Sequence, residues 1–164
     1  MKLLSTLSIF LLTTMCSFSL MAQTPQAAPL MYGESIRVEQ AEKVMAAAMQ
    51  ESLKNNWTMA IAIVDIGGNL VLFKKMDNTQ VGSINVAISK ATTANNFKRP
   101  SKALEDAVAS GGAGLRILSL PGATPIEGGE LLMLNGKIVE AIGVSGASSA
   151  QDGQVARVGA GSLN

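Results

Sequence analysis

The sequence predicts an α+β fold in which helices cover an antiparallel sheet, and the signals are local ones. Two pairs of apolar runs are each broken by a turn sequence: Gly67-Gly68-Asn69 separates Thr58–Asp65 from Leu70–Lys75, and Asn135-Gly136 divides Leu131–Ser145. Asn-Gly is a strong hairpin signal because both central residues of the tight turn need positive φ. Segments with helical apolar spacing alternate with these hairpins. Strands joined as hairpins lie antiparallel, and runs as apolar as Ala60–Val64 and Ile138–Val144 call for cover on both faces.

The elements follow in order. Residues 1–22 read as a secretory signal, with Lys2 as the positive start, Leu3–Met15 as the apolar core and a cleavage site after Ala22. Residues 23–34, with Pro25 and Pro29, are expected to be a flexible mature N-terminus, and residues 35–164 the folded domain. Ser35–Lys54 has Val38, Ala41, Met45 and Ala48 at helical spacing, widened by Val44 and Leu53. After the first hairpin, Ser83 is expected to cap a helix to Phe97 with Ile84, Ala87, Ile88 and Ala91 on one stripe, stopped before Pro100. Ser101 opens a shorter helix buried through Leu104, Ala107 and Val108, which Gly111-Gly112 ends. Leu115–Leu120 is expected to be a strand and Pro121–Gly129 a loop. After the second hairpin, Ser149-Ala150-Gln151-Asp152 has the form of a capping box, opening a last helix through Val155, Ala156 and Val158.

Composition excludes several functions. The chain has 13 basic and 12 acidic residues. Removing the signal takes away Lys2 alone, leaving 12 minus 12, a net charge of zero. Nucleic acid is a poor partner for such a chain, since phosphate affinity comes from clustered Lys and Arg. No membrane span is expected in the mature chain. The one cysteine, Cys16, lies in the signal, so the expected exported domain, periplasmic or secreted, has no disulfide. There is no histidine, which rules out a Ser-His-Asp triad, a histidine zinc site and a histidine ligand to haem iron.

Few motifs survive inspection. Gly143-Val144-Ser145-Gly146-Ala147 has the outline of a nucleophile elbow, but Ala147 replaces the last glycine and nothing can activate Ser145. Backbone amides at Ser145 and Gly146 remain able to bind a carboxylate or phosphate. Gly111-Gly112-Ala113-Gly114 lacks the later glycine of a dinucleotide fingerprint. Asp65, Asp77, Glu130 and Asp152 stand at turns or element ends, where a carboxylate either faces a ligand or caps a turn. Glu127 and Glu130 flank Gly128-Gly129 with no fixed separation, and no metal-ligand spacing occurs. Lys90 lies about 100° off the apolar stripe of its helix, so its ammonium is expected at the rim, either solvated or clamping an anion. Met45, Met49, Met59, Met76 and Met133 suit core filling better than iron ligation.

Several of these pieces occur in a known order. The chain resembles the GlcG/HbpS-like family, the haem-degrading domain family that includes the C-terminal domain of PduO-type proteins. The resemblance rests on Ala60–Val71, on Lys74-Lys75-Met76-Asp77 followed by Ser83-Ile84, and on Ser89–Ala94. It continues through Gly122–Ile126, Ala141–Gly146, and Gln151-Asp152 with Val155-Ala156. It implies a profilin-like three-layer α/β/α fold with a five-stranded antiparallel sheet, a homo-oligomer, and in some members binding of haem or a corrinoid. Asp65, Gly68, Asp77, Lys90, Gly143, Ser145, Gly146 and Asp152 occupy the family's recurrent positions. Ala123 and Glu140 stand where that pattern carries glycine.

The reading that results is an exported small-ligand-binding protein with haem as the leading ligand. Its expected ligand-binding residues are Asp65, Lys90, Ser145, Gly146 and Asp152, in a shallow groove between the Ser83–Phe97 helix and the strand end at Ser145. Haem would bind there without histidine, and Tyr32, Trp57, Phe73 and Phe97 are the only aromatic residues of the mature chain available to it. Two alternatives stay open: an enzyme acting on a small organic acid with Lys90 or Asp65 as acid/base, and an interaction protein whose oligomer is its function. The residues do not decide between enzyme and binder.

Overall fold

The computed structural model describes residues 28–163; the expected signal, residues 1–22, lies outside them. The first element is a two-residue strand, β1 (Met31–Tyr32), followed by helix α1 (Val38–Lys54) and the hairpin β2 (Ala60–Val64) and β3 (Leu70–Lys75). Helices α2 (Ser83–Phe97) and α3 (Ser101–Ala109) come next, then a 3-10 segment over Gly112–Ser119. The hairpin β4 (Gly129–Leu134) and β5 (Lys137–Ser145) and helix α4 (Ser149–Gly161) complete the domain.

The five strands form one mixed sheet. β5 pairs antiparallel with β4 on one edge and with β2 on the other, and β3 continues beyond β2. β1 pairs parallel with the start of β5, Tyr32 opposite Ile138. The expected five-stranded, three-layer architecture is therefore present, with two corrections. The sheet is not wholly antiparallel, and its fifth strand is β1, inside the segment expected to be flexible. Leu115–Leu120 is not a strand. The positive φ of Gly111 and Gly112 turns the chain, and Gly114 packs on the Ala107 carbonyl so closely that a β-carbon would collide with it. An apolar run this short carries no decisive period, and none of the 3-10 residues is buried.

The two sheet faces differ in side-chain size. Ile61, Ile63, Ile142 and Val144 point to the face covered by α1 and α4, where they join Val44, Met45, Val155 and Ala156 in the main core. On the opposite face Ala60, Ala62, Val64 and Ala141 meet Ala87, Ala91 and Ala94 of α2. Alternation along β2 produces this division, and small residues on both partners let α2 approach the sheet closely. Gly143, opposite Ala62, sits under the α2 backbone itself. The apolar stripe of α1 is narrower than its spacing suggests, since Val38 and Leu53 are exposed; Val158 of α4 is exposed too.

Turn and cap chemistry fixes the connections. Asn135 and Gly136 both have positive φ, as the expected two-residue hairpin requires. Ser83 does not cap α2; the N-cap is Gly82, and the Ser83 hydroxyl accepts a bond from Ser145 Oγ instead, at 3.2 Å. The capping box of α4 lies one residue earlier than expected, with Ser148 as N-cap and Gln151 Oε1 accepting from Ser148 N–H at 3.1 Å. That shift releases Asp152 from capping.

Candidate functional site

Asp152 is buried at the start of α4, and Lys90 is buried on α2. Lys90 Nζ donates to Asp152 Oδ2 at 2.8 Å and to the Val144 carbonyl at 3.1 Å. Asp152 Oδ1 accepts from the Ala147 amide at 3.0 Å. Burial raises the Asp152 carboxyl above its ordinary value, opposed by Lys90 and by the amides of Ala147 and Gly146. The loop before β4 seals this pair: a β-carbon on Gly128 would lie 2.9 Å from Lys90 Nζ and 3.0 Å from Asp152 Cβ. Gly128 adopts φ 129°, a conformation that suits glycine alone.

Four of the five expected site residues thus meet. Lys90, Gly146 and Asp152 share one polar cluster; Ser145 adjoins it as the residue after the Val144 carbonyl that Lys90 binds, while its own hydroxyl donates to Ser83 Oγ. The expected groove is not there. The Lys90 ammonium does not reach the rim, because the close approach of α2 places it under the Gly128 loop and α4, 1% exposed. Of the two amides expected to meet a ligand's carboxylate, that of Gly146 is turned instead, with that of Ala147, to Asp152, an anion supplied by the chain, and Ser145 is paired with Ala60 in the sheet. The cluster is a buried, internally neutralised ion pair, which on its own favours a fixed geometry over exchange of ligands.

Asp65 stands apart, at the other end of β2 from the strand end at Ser145. Its Oδ1 accepts from the amides of Gly67 and Asn69, each at 2.8 Å, closing the turn of the first hairpin. These bonds, the Asn69 amide foremost, hold its carboxyl below the ordinary value. A lowered value stabilises the fold above the ordinary carboxylate range and is lost as the pH falls through it. Asp65→Ala is accordingly expected to cost about 1 kcal/mol in urea unfolding at neutral pH, with the deficit disappearing in acid; an equal deficit at all pH would refute the turn role.

Two groups escaped sequence reasoning. Arg157 Nη1 donates to Glu127 Oε1 at 2.7 Å and lies 3.7 Å from Glu130 Oε1, joining α4 to the start of β4. Burial, with Glu127 nearby, raises the Glu130 carboxyl, and Arg157 opposes the rise. Glu127 and Glu130 were visible as flanking carboxylates; the arginine between them lies too far along the chain to be paired by spacing. The second group is Glu140, 1% exposed on β5. Among the described residues no cluster of three or more metal-ligating side chains occurs, and no helix is long and apolar enough to cross a membrane.

The model of a protein family described as haem degrading protein HbpS-like matches residues 36–161. The chain belongs to the HbpS-like family. It is 36% identical to Protein GlcG of Escherichia coli K12 over 107 residues, 65% of this chain and 78% of that protein. Its fold superimposes on a double mutant of HbpS from Streptomyces reticuli with a TM-score of 0.74 at 31% identity, covering 87% of this chain and 99% of that one. A PduOC–haem complex shares the fold at a TM-score of 0.72 and 23% identity, over 79% of this chain and 96% of that one. Haem is the group this family implies, and the residues here supply it neither a histidine ligand nor an open site at Lys90.

Proposed function

We propose that the protein is an exported homo-oligomer that binds an amphipathic, carboxylated small ligand, with haem the first candidate. The observation that carries the site is an open cleft of about 300 Å³ lined by Gly33, Glu34, Leu134, Asn135, Lys137 and Val139. Leu134 and Val139 give it apolar walls, and Lys137 supplies a cation suited to a propionate. A cleft at the small end of ligand sites covers only one edge of a tetrapyrrole, so the mode is peripheral and engages the carboxylates rather than the iron. Membership of the HbpS-like family supports haem, and the signal-like residues 1–22 support export. The exposed Leu115, Leu118 and Leu120 support assembly, which light scattering of the mature chain tests directly.

Titrating the mature protein with haem is expected to give a saturable Soret change, weakened about tenfold by Lys137→Glu, a loss of ~1.4 kcal/mol. Non-saturable partition, or saturation that ignores Lys137, overturns the site. Lys90→Ala is a poor probe of binding, because it removes part of the fold.

A further inference from the structure

The edge of β5 that faces β2 is paired at both ends but not between them. β1 covers Lys137 and Ile138, and β2 covers Ala141 to Ser145. β1 runs parallel to β5 and β2 antiparallel, so their C-terminal ends converge on the gap, and Val139 and Glu140 fall in this notch. On the other edge Glu140 stands opposite Leu132, beside a register shift between Leu132 and Met133.

Glu140 is a poor residue for such a place. It is 1% exposed, and its Oε2 has no hydrogen-bond partner. An ionised carboxylate without partners is costly in a core. The buried residues of α1 are all uncharged, those of α4 are uncharged apart from Asp152, and those of α2, the helix packed on the other face of β5, are uncharged apart from Lys90. Asp152 of α4 is committed to Lys90, and Glu34 and Lys137 stand exposed at the cleft. The charge that acts on Glu140 is negative, Asp65 at the end of β2. Burial first, and Asp65 second, push the Glu140 carboxyl up to about 7 from an ordinary 4.5.

We propose that Glu140 is a proton-operated latch for the N-terminal strand: protonated, it lets β1 and the Gly33–Glu34 segment close on β5, and ionised, it parts that edge so that water reaches the carboxylate. β1 is the neighbour that yields because it is held least. It has two paired residues against five for β2. Its other ties include the Gly33 amide donating to the Ile138 carbonyl at 2.7 Å, the Tyr32 hydroxyl donating to the Asn95 carbonyl at 2.6 Å, and Lys98, which donates to the Leu30 carbonyl at 2.9 Å and stands 4.3 Å from the centre of the Tyr32 ring. Such short, peripheral pairings open at low free energy while the core stays closed. Gly33 and Glu34 also form one wall of the ligand cleft, so opening widens it. That consequence rests on the proposed function; the latch itself does not. In a chain without histidine, a carboxyl displaced to neutral pH supplies the sensitivity that histidine ordinarily provides.

The sign follows from linkage. A value raised in the closed form favours closure fully below 4.5, and that advantage is lost as the pH rises through about 7. With those two values the opening constant grows about tenfold between pH 6 and pH 8. Hydrogen exchange of the ligand-free mature protein, corrected for the intrinsic pH dependence of exchange, is expected to show protection of the Met31–Gly33 amides falling about tenfold over that range. Glu140→Gln, which cannot ionise, and Glu140→Leu as a second variant should hold protection constant. Carboxyl carbon shifts in NMR should place the Glu140 midpoint near neutral pH. A midpoint in the ordinary carboxylate range, or a pH-dependent loss of protection that persists in either variant, would overturn the latch. Because haem takes no part in these measurements, a failed haem titration leaves them intact.

Discussion

Lys90→Met is expected to destabilise the domain by about 3–5 kcal/mol, because it leaves Asp152 as a buried carboxylate without its cation. At about 4 °C per kcal/mol for a domain of this size, the melting temperature should fall roughly 12–20 °C. Asp152 Oδ1 keeps the Ala147 amide, but Oδ2 loses its 2.8 Å partner and gains no water, since Gly128 and α4 close the space. The remaining escape is protonation. Burial already raises the Asp152 carboxyl, and without Lys90 the rise is larger, so the deficit should shrink as the pH falls and the carboxyl takes up a proton. Asp152→Asn leaves the opposite orphan, a buried ammonium, and should cost a similar amount. The double variant Lys90→Met with Asp152→Asn removes both charges while the amide oxygen still accepts from Ala147. It should recover much of the loss, giving a coupling energy of about 2 kcal/mol or more. Thermal melts of the four proteins at neutral and acidic pH decide the matter. Single variants within about 1 kcal/mol of wild type would show that the pair is solvated and the cluster accessible, which would restore Lys90 as a ligand contact.

Local chemistry was readable: Asn135-Gly136 announced the β4–β5 hairpin, and the apolar run Ala60–Val64, ended by the Gly67-Gly68-Asn69 turn, announced a strand. The order of motifs brought Lys90, Ser145, Gly146 and Asp152 together correctly, although they come from three separate segments. Their accessibility was misjudged for a tertiary reason. A helical projection places Lys90 at the edge of its stripe, and an edge residue is at the rim only if nothing covers it. Here alanines on both surfaces, Gly143 below and the Gly128-Gly129 loop beside it bring α2 deep enough for the ammonium to be enclosed. β1 was missed because two paired residues carry no period, and pairing with β5 alone makes them a strand. Glu140 showed only as a departure from a family glycine; its lack of partners is a property of the notch formed by β1 and β2, which no local pattern encodes.

Gly143→Ala is expected to rank with loss of the ion pair, at about 3 kcal/mol or more, although it adds one methyl group. A β-carbon at Gly143 would run into the Ala87 carbonyl and the Ala91 amide of α2 and lie 2.9 Å from the Ala91 β-carbon. Overpacking ordinarily costs about 1–3 kcal/mol because neighbouring side chains adjust. Here the obstacle is helix backbone, which moves only with the whole of α2. Moving α2 outward would also draw Lys90 from Asp152 and loosen its packing on Gly129, where a β-carbon would collide with the Lys90 carbonyl. Ala91→Gly should therefore rescue little, since the backbone contacts remain. Gly161→Ala is the contrasting control: nothing lies within 4 Å of a β-carbon there, and at the end of α4 alanine should be neutral or stabilise by a few tenths of a kcal/mol. Urea unfolding of these variants, together with hydrogen exchange of the α2 amides, separates local strain from displacement of the helix. A Gly143→Ala protein as stable as wild type would mean that α2 stands off the sheet, and the enclosed Lys90–Asp152 pair would lose its physical basis.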